Sequence, residues 1–160
     1  MQPDDVPLMV AMFHQLSPES RRRRFHTNVE HVSDELIYQR AGELANVDNE
    51  TNRGALIAIY AGPAGEEMVG SVRLARPADK PDSLEAEAAI VVRDDFQGQG
   101  VGQELLRRMV LLAKKMRVKT IVAIFEPDNE GAIRLFRELN LPSELTIHHG
   151  ETIMRIAVPA

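Results

Sequence analysis

The sequence predicts a single α/β (α+β) domain over residues 1–160, with a central sheet flanked by helices. Three observations predict it. At 160 residues and 44% hydrophobic content, the chain suits one domain with one core, burying about 68–70% of its unfolded surface. Strand-like apolar runs and helix-period apolar stripes alternate along it. A small-residue and β-branched segment, 84–92, feeds a helical pattern through a polar, glycine-bearing loop at 93–99.

Taken in order, Asp4 and Asp5 are placed to cap a first helix, with Pro7 in its first turn and Val6, Met9, Val10, Phe13 and Leu16 as its buried stripe. Pro18 follows the helix end. Arg21 to Arg24 then form a basic run, read either as a solvated surface turn or as the border of a binding site. Ser33 caps a second helix, with Asp34 and Glu35 in its first turn and Leu36, Ile37, Arg40, Ala41 and Leu44 at helical spacing. Residues 46–54 read as a loop. Ala55–Ala61 and Met68–Arg76 form a hairpin around Gly62-Pro63-Ala64-Gly65, and 77–83 is a surface loop. From Gly100 a helix buries Val101, Leu105, Met109, Leu112 and Met116. Thr120–Phe125 suits a buried strand. Asn129 opens a last helix with Ala132, Ile133, Phe136 and Leu139 inward. Leu145–His148 and Thr152–Val158 make a second hairpin around His149-Gly150-Glu151.

The loop Gln97-Gly98-Gln99-Gly100-Val101-Gly102 joins a strand to a helix start. Glycines let the backbone turn and let a ligand approach. The first helical N–H groups lack internal partners, and the helix dipole adds partial positive charge there, which suits a pyrophosphate. A P-loop needs Gly-Lys-Ser/Thr, which is absent. The dinucleotide fingerprint needs its third glycine one residue later, although Glu126 ends the next strand as that reading would ask. A plain glycine turn is the bland alternative. The six residues fit the Q/R-x-x-G-x-G/A loop at every fixed position, and here the chain resembles the GNAT family of N-acetyltransferases.

The element order resembles the GNAT fold over nearly the whole chain. That implies a central mixed, mostly antiparallel sheet flanked by about four helices. GNAT domains open with a strand before the first helix; that strand is expected to be missing here or to lie upstream. The run Glu87-Ala88-Ala89-Ile90-Val91-Val92-Arg93 is similar to a segment of Pat-type bacterial protein lysine acetyltransferases. So is Leu16-Ser17-Pro18-Glu19-Ser20-Arg21, with Arg24-Phe25 after it.

The resemblance implies acetyl-CoA as cofactor, coenzyme A as product and no metal. It implies direct transfer to an amine: a lysine on a protein such as an acyl-CoA synthetase, or a small amine. A non-catalytic acetyl-CoA sensor is the reading from another class. An alkyl ammonium, with pKa near ~10.4, must lose a proton before it attacks. Glu85 and Glu87, two apart on the entering strand, share one face and are the candidate bases. The Pat-like segment selects Glu87, whose pKa burial among apolar neighbours would raise; the bland reading is a rim carboxylate paired with an arginine. The cofactor residues implied are Ile90, Val91 and Val92 on the strand, Gln97, Gly98, Gln99, Gly100, Val101, Gly102 and Gln103 at the loop and helix start, and Asn129. Backbone N–H near Val91 or Val92 is expected to hold the oxyanion, because the GNAT central strand splays from the next one. Asn129 is also an ordinary N-cap candidate. The family's thiolate-protonating Tyr is Phe136 here, and its closing Gly-Phe is Asn140-Leu141. A thiol with pKa near ~8.5 leaves without strong acid help. The basic run is expected to border the acceptor site, with His26 beside it.

Composition narrows the rest. There is no cysteine, so disulfides, thiolate metal sites and a cysteine nucleophile are excluded. A formal net charge of −5 disfavours nucleic-acid partners and suits a cationic acceptor. No basic leader and no apolar run of ~20 residues is present. The expectation is a cytoplasmic protein away from membranes, with a homodimer allowed. The five histidines show no ligand grouping.

Overall fold

A computed structural model describes residues 1–26, 29 and 31–160. Five α-helices and six strands follow the order α1 (Val6–Gln15), α2 (Pro18–Phe25), α3 (Asp34–Ala45), β1 (Arg53–Gly62), β2 (Gly65–Ala75), β3 (Glu85–Val92), α4 (Val101–Lys115), β4 (Thr120–Phe125), α5 (Glu130–Arg137), β5 (Ser143–His148) and β6 (Glu151–Ala157). The strands form one sheet in the order β1-β2-β3-β4-β6-β5. Only the β3–β4 pair is parallel; the rest are antiparallel. This is the mixed, mostly antiparallel sheet the sequence predicts. No strand precedes α1 among the described residues.

Pleating divides the core. Ala86 and Ala88 of β3, with Val72 and Leu74 of β2, point toward α4, where Leu105, Leu106, Met109, Leu112 and Met116 close over them. Phe125 and Phe136 extend that layer, meeting edge to face at 5.2 Å. On the other side of the sheet, Met9, Val10 and Met12 of α1 and Ile37 and Ala41 of α3 pack on Met68, Ile57 and Val91. α1 and α3 cover the β1–β2 side, and α2 lies over β3. Beyond them, Val122 and Ile124 of β4 and Ile153 of β6 stay half-buried. No helix among the described residues is long and apolar enough to cross a membrane.

Two local expectations change. Residues 18–25 are a helix rather than a turn: Ser17 caps it, accepting from the Ser20 N–H at 3.1 Å, and Pro18 occupies its first position. Asp5 does not cap α1 with its side chain. Its carboxylate turns back to the Gln2 N–H at 2.7 Å, closing a short 3-10 turn over Pro3–Asp5.

Candidate active site

The central feature is a partial separation of β3 from β4. Their parallel register runs from Glu85↔Thr120 to Ala88↔Ala123 and stops. Beyond it, β3 keeps pairing with β2 as far as Val92, and β4 keeps pairing with β6 as far as Phe125. Backbone alternation shows which groups this releases. The Arg93 N–H bonds the Val69 carbonyl of the β2 side, and the Leu84 carbonyl accepts from Thr120 on the β4 side. Odd-numbered residues of β3 therefore bond toward β2 and even-numbered ones toward β4. Past Ala88, the N–H groups of Ile90 and Val92 face the opening. The Val92 carbonyl is taken by Gln97 Nε2 at 3.0 Å. Of the two donors expected from the sequence, Val92 has its N–H in the opening and Val91 directs its own at β2.

The glycine loop closes one end of this gap. Gly98 and Gly100 have φ of 74° and 90°, a region that side chains resist. Gly100 is the N-cap of α4 and offers no side chain; the first recorded helical return bond is Glu104 N–H to the Gly100 carbonyl, 3.1 Å. The N–H groups of Val101, Gly102 and Gln103 are thus the open donors of the helix start. Gly102 has a packing reason of its own: a Cβ there would lie 2.8 Å from Leu135 Cδ2 of α5. Gln97, Gly98, Gly100, Gly102 and Gln103 line a cavity of about 750 Å³, whereas Gln99 and Val101 do not. Gln99 Nε2 instead donates to the Asp95 carbonyl at 3.0 Å, and Val101 packs against the core. Gln103 Nε2 reaches Glu138 at 3.3 Å.

The same cavity touches Glu87, Ile90, Val91, Val92, Asn129 and Phe136, so these sequence-selected residues share one space. Asn129 is the N-cap of α5; its Oδ1 accepts from the Ala132 N–H and from Arg23, each at 3.3 Å. Phe136 is buried, and neither tyrosine is near it: Tyr60 packs on Phe96, and Tyr38 is exposed on α3. Glu87 is exposed at the cavity wall, not buried as its apolar neighbours in sequence suggest. The pleat explains this: Glu87 points to the face opposite α4, away from buried Ala86 and Ala88. Among the described residues no arginine forms an ion pair with it within 4 Å. Glu85 is paired, accepting from Arg155 at 3.4 Å.

The arginine run is neither a solvated turn nor a free basic patch. Arg21 stacks on Phe13 at 4.4 Å and donates to the Phe13 and His14 carbonyls. Arg22 meets Glu126 at 3.4 Å, and Arg23 meets Glu19 at 2.9 Å. Arg24 stacks on Phe25 at 4.8 Å and lines the cavity with Glu87 and His26. Burial pushes the Arg24 guanidinium below its ordinary value, and the charge of Glu87 works the other way. Glu126 serves α2, not a ribose; with a mostly antiparallel sheet, the dinucleotide reading falls.

Sequence reading missed what fastens α2. Asp94, just after β3, accepts from the Ser17 N–H at 2.9 Å, the Ser17 hydroxyl at 2.8 Å and the Ser20 hydroxyl at 2.8 Å. α2 is therefore tied to the glycine loop by Asp94 and to α5 by Arg23. The signal was present: Ser17-Pro18-x-Ser20 is an N-cap pattern, and a helix N-terminus favours a carboxylate. Arg93 was also missed. It is buried, bonds Asp95 and Gln15, and stacks on Phe96 at 4.9 Å, fixing the loop's root.

A strand opened to expose backbone donors, a glycine-rich helix start and a cavity joining both suit the N-acetyltransferase class. The comparisons agree. Residues 1–141 match the acetyltransferase (GNAT) domain family, and the chain belongs to it. It is an acyltransferase of a family that uses acetyl-CoA. Solved structures share the fold. The GNAT domain of S. lividans PAT superposes with TM-score 0.82 at 23% identity, covering 98% of this chain and 87% of that one. The ribosomal-protein-alanine N-acetyltransferase of Brucella melitensis gives 0.70 at 18%, covering 99% and 97%. Salmonella typhimurium yncA, solved with acetyl-CoA, gives 0.66 at 19%, covering 100% and 92%.

Proposed function

We propose that the chain transfers an acetyl group from acetyl-CoA to a lysine ε-amine on a protein, with Glu87 as general base. One observation carries this reading: Glu87, the Val92 N–H and the α4 N-terminus border one cavity. The residues present fit the cofactor: φ-positive glycines and open N–H groups suit a diphosphate, and the β3–β4 gap suits an extended arm. When bound, acetyl-CoA supplies a thioester that a neutral amine attacks without prior activation. Gly98 and Gly100 let the backbone cradle the diphosphate, and Asn129 reaches the arm. Glu87 removes the ammonium proton, directly or through a water, and its exposure keeps it open to a large acceptor. The Val92 N–H, open to the cavity, would stabilise negative charge developing on the carbonyl oxygen. Phe136 has no proton to give, and a thiolate leaves unaided near neutral pH.

A protein acceptor is supported by the Pat-like segments and by the open sheet face beyond Glu87. That face carries Val122, Arg155 and Glu144 in one row across β4, β6 and β5. A small amine is the second reading, favoured by the cavity's continuation to Glu19, Arg24 and His26. Mass spectrometry on lysine peptides, whole proteins and small amines with acetyl-CoA separates the two. In the active assay Glu87→Gln lowers kcat by about 10²–10⁴-fold, while calorimetry gives unchanged acetyl-CoA affinity. A wild-type rate from that variant removes Glu87 from the mechanism.

A further inference from the structure

The two edges of the sheet are finished differently. At the start of β1 the outward backbone groups of Arg53 and Ala55 are already used. The Ala55 N–H donates to Asn49 Oδ1 at 2.7 Å, the Met1 ammonium to the Ala55 carbonyl at 3.3 Å, and the Asn49 N–H to the Arg53 carbonyl at 3.0 Å. A register shift at Ala58/Ile59 also interrupts that strand, as protected edges commonly do. β5 has neither device. Its residues are exposed along the whole strand, and its register with β6 is unbroken. Leu145 and Ile147 share a face and are 44% and 77% exposed.

The closing turn fixes which backbone groups look outward. His149 and Gly150 have φ of 50° and 78°, a two-residue turn of the I′ kind. His148 and Glu151 are then the hydrogen-bonded closing pair. By alternation, Glu144 and Thr146 bond toward β6, while the N–H and C=O of Leu145 and Ile147 point away from it. The Ala157 N–H to Pro142 carbonyl bond, 2.9 Å, has the same phase. Among the described residues no hydrogen bond from outside the hairpin reaches Leu145 or Ile147.

We infer that β5 is the docking edge for a second copy of this chain, paired antiparallel about a two-fold axis through Thr146. The strand is self-complementary about that residue. Leu145 falls opposite the partner's Ile147, and each exchanges both backbone bonds with the other. Glu144 falls opposite the partner's His148. The apolar pairs close on one face of the sheet and the acid–imidazole pairs on the other. An axis at Leu145 would set Ile147 against the partner's Ser143, and an axis at Ile147 would set Leu145 against the partner's His149. The axis is normal to the sheet, so the Glu87 faces of both copies lie on one side of a continuous sheet. The pairing does not depend on acetyl transfer.

Sedimentation velocity over a concentration series tests it on the intact chain. Wild type sediments as a dimer. Ile147→Lys, a charge placed on the edge, weakens self-association by about 100-fold or more. Leu111→Lys, an exposed site on α4, leaves the dimer unchanged. Register is read with single cysteines in this cysteine-free chain. Facing Thr146 positions form a pair with Cα atoms about 4.5 Å apart, within disulfide reach. Thr146→Cys therefore oxidises to a linked dimer. Leu145→Cys and Ile147→Cys are displaced from their own counterparts beyond the ~7 Å limit and do not. A wild-type monomer at all concentrations overturns the proposal. So does a dimer that survives Ile147→Lys, or cross-linking that favours position 145 or 147 over 146.

Discussion

Over Glu85–Ala88, β3 pairs with β4, joined from Glu87 by β2 on its other side; over Ala89–Val92 it has β2 alone. Side chains differ, Glu-Ala-Glu-Ala in the first stretch and Ala-Ile-Val-Val in the second, but alanine occurs in both. The sharper difference lies in the backbone partners. In the first half, N–H groups complete a ladder and hold the sheet together. In the second half, those of Ile90 and Val92 are left facing a cavity, where a ligand or water must serve them. One strand therefore carries a closed ladder at its start and open donors at its end, and the difference lies in where the neighbouring strand departs.

The largest effect expected from this contrast comes from one substitution made in both halves. Proline removes an N–H. Ala88→Pro deletes a ladder bond toward β4 at a buried site and costs about 3 kcal/mol or more, read as a collapse of the thermal or urea transition. Val92→Pro deletes a donor that faces the opening rather than a neighbouring strand. Its melting temperature stays near wild type while turnover falls by about 10²–10³-fold, the loss expected for one oxyanion donor. Equal destabilisation by both variants would erase the distinction between the halves.

The next effect sharpens the same point at the loop. No atom lies within 4 Å of a Cβ built on Gly100, so the obstacle to a side chain there is its φ of 90°. Gly100→Val forces that turn to change and lowers acetyl-CoA affinity by at least about 100-fold by calorimetry. Gly42, within α3 and equally free of neighbours, has an ordinary helical backbone. Gly42→Ala raises stability by about 0.5–1 kcal/mol and leaves binding alone.

Much of this was legible in the sequence. The periodicity of Leu105, Met109, Leu112 and Met116 placed α4 with its buried face, and Thr120–Phe125 was read to the residue. The glycine spacing drew attention to the α4 N-terminus. What escaped depends on contacts distant in sequence. The exposure of Glu87 is set by which face of the pleat α4 occupies, not by the alanines beside it. The helix at 18–25 was hidden because four consecutive arginines look like solvent-facing sequence. Each has a partner in the fold: Arg21 stacks on Phe13, Arg22 meets Glu126, Arg23 meets Glu19 and Asn129, and Arg24 stacks on Phe25. The tie between Ser17 and Asp94 spans 77 positions, beyond any local pattern.

That tie gives the smallest effect. Asp94 sits at the end of the open half of β3 and holds α2 across it. Burial raises its pKa, but the bonds from Ser17 and Ser20 outweigh that and hold the carboxyl below its ordinary value. A group depressed in the folded state adds stability that is present above its unfolded pKa, about 3.9, and is lost as pH falls through the folded value. Wild type therefore loses the α2 clasp only as pH falls below the ordinary carboxylate range, through the depressed folded value, seen as faster hydrogen exchange at Ser20 and Arg21. Asp94→Asn keeps the shape and removes the charge, so its exchange at those amides is already fast at neutral pH and does not change across that window. Thermal stability falls by about 1 kcal/mol, and the KM for the acceptor rises while Ala86 and Ala88 remain as protected as before. Loss of protection at Ala86 and Ala88 in that variant would mean that Asp94 supports the whole sheet rather than the open half of the strand.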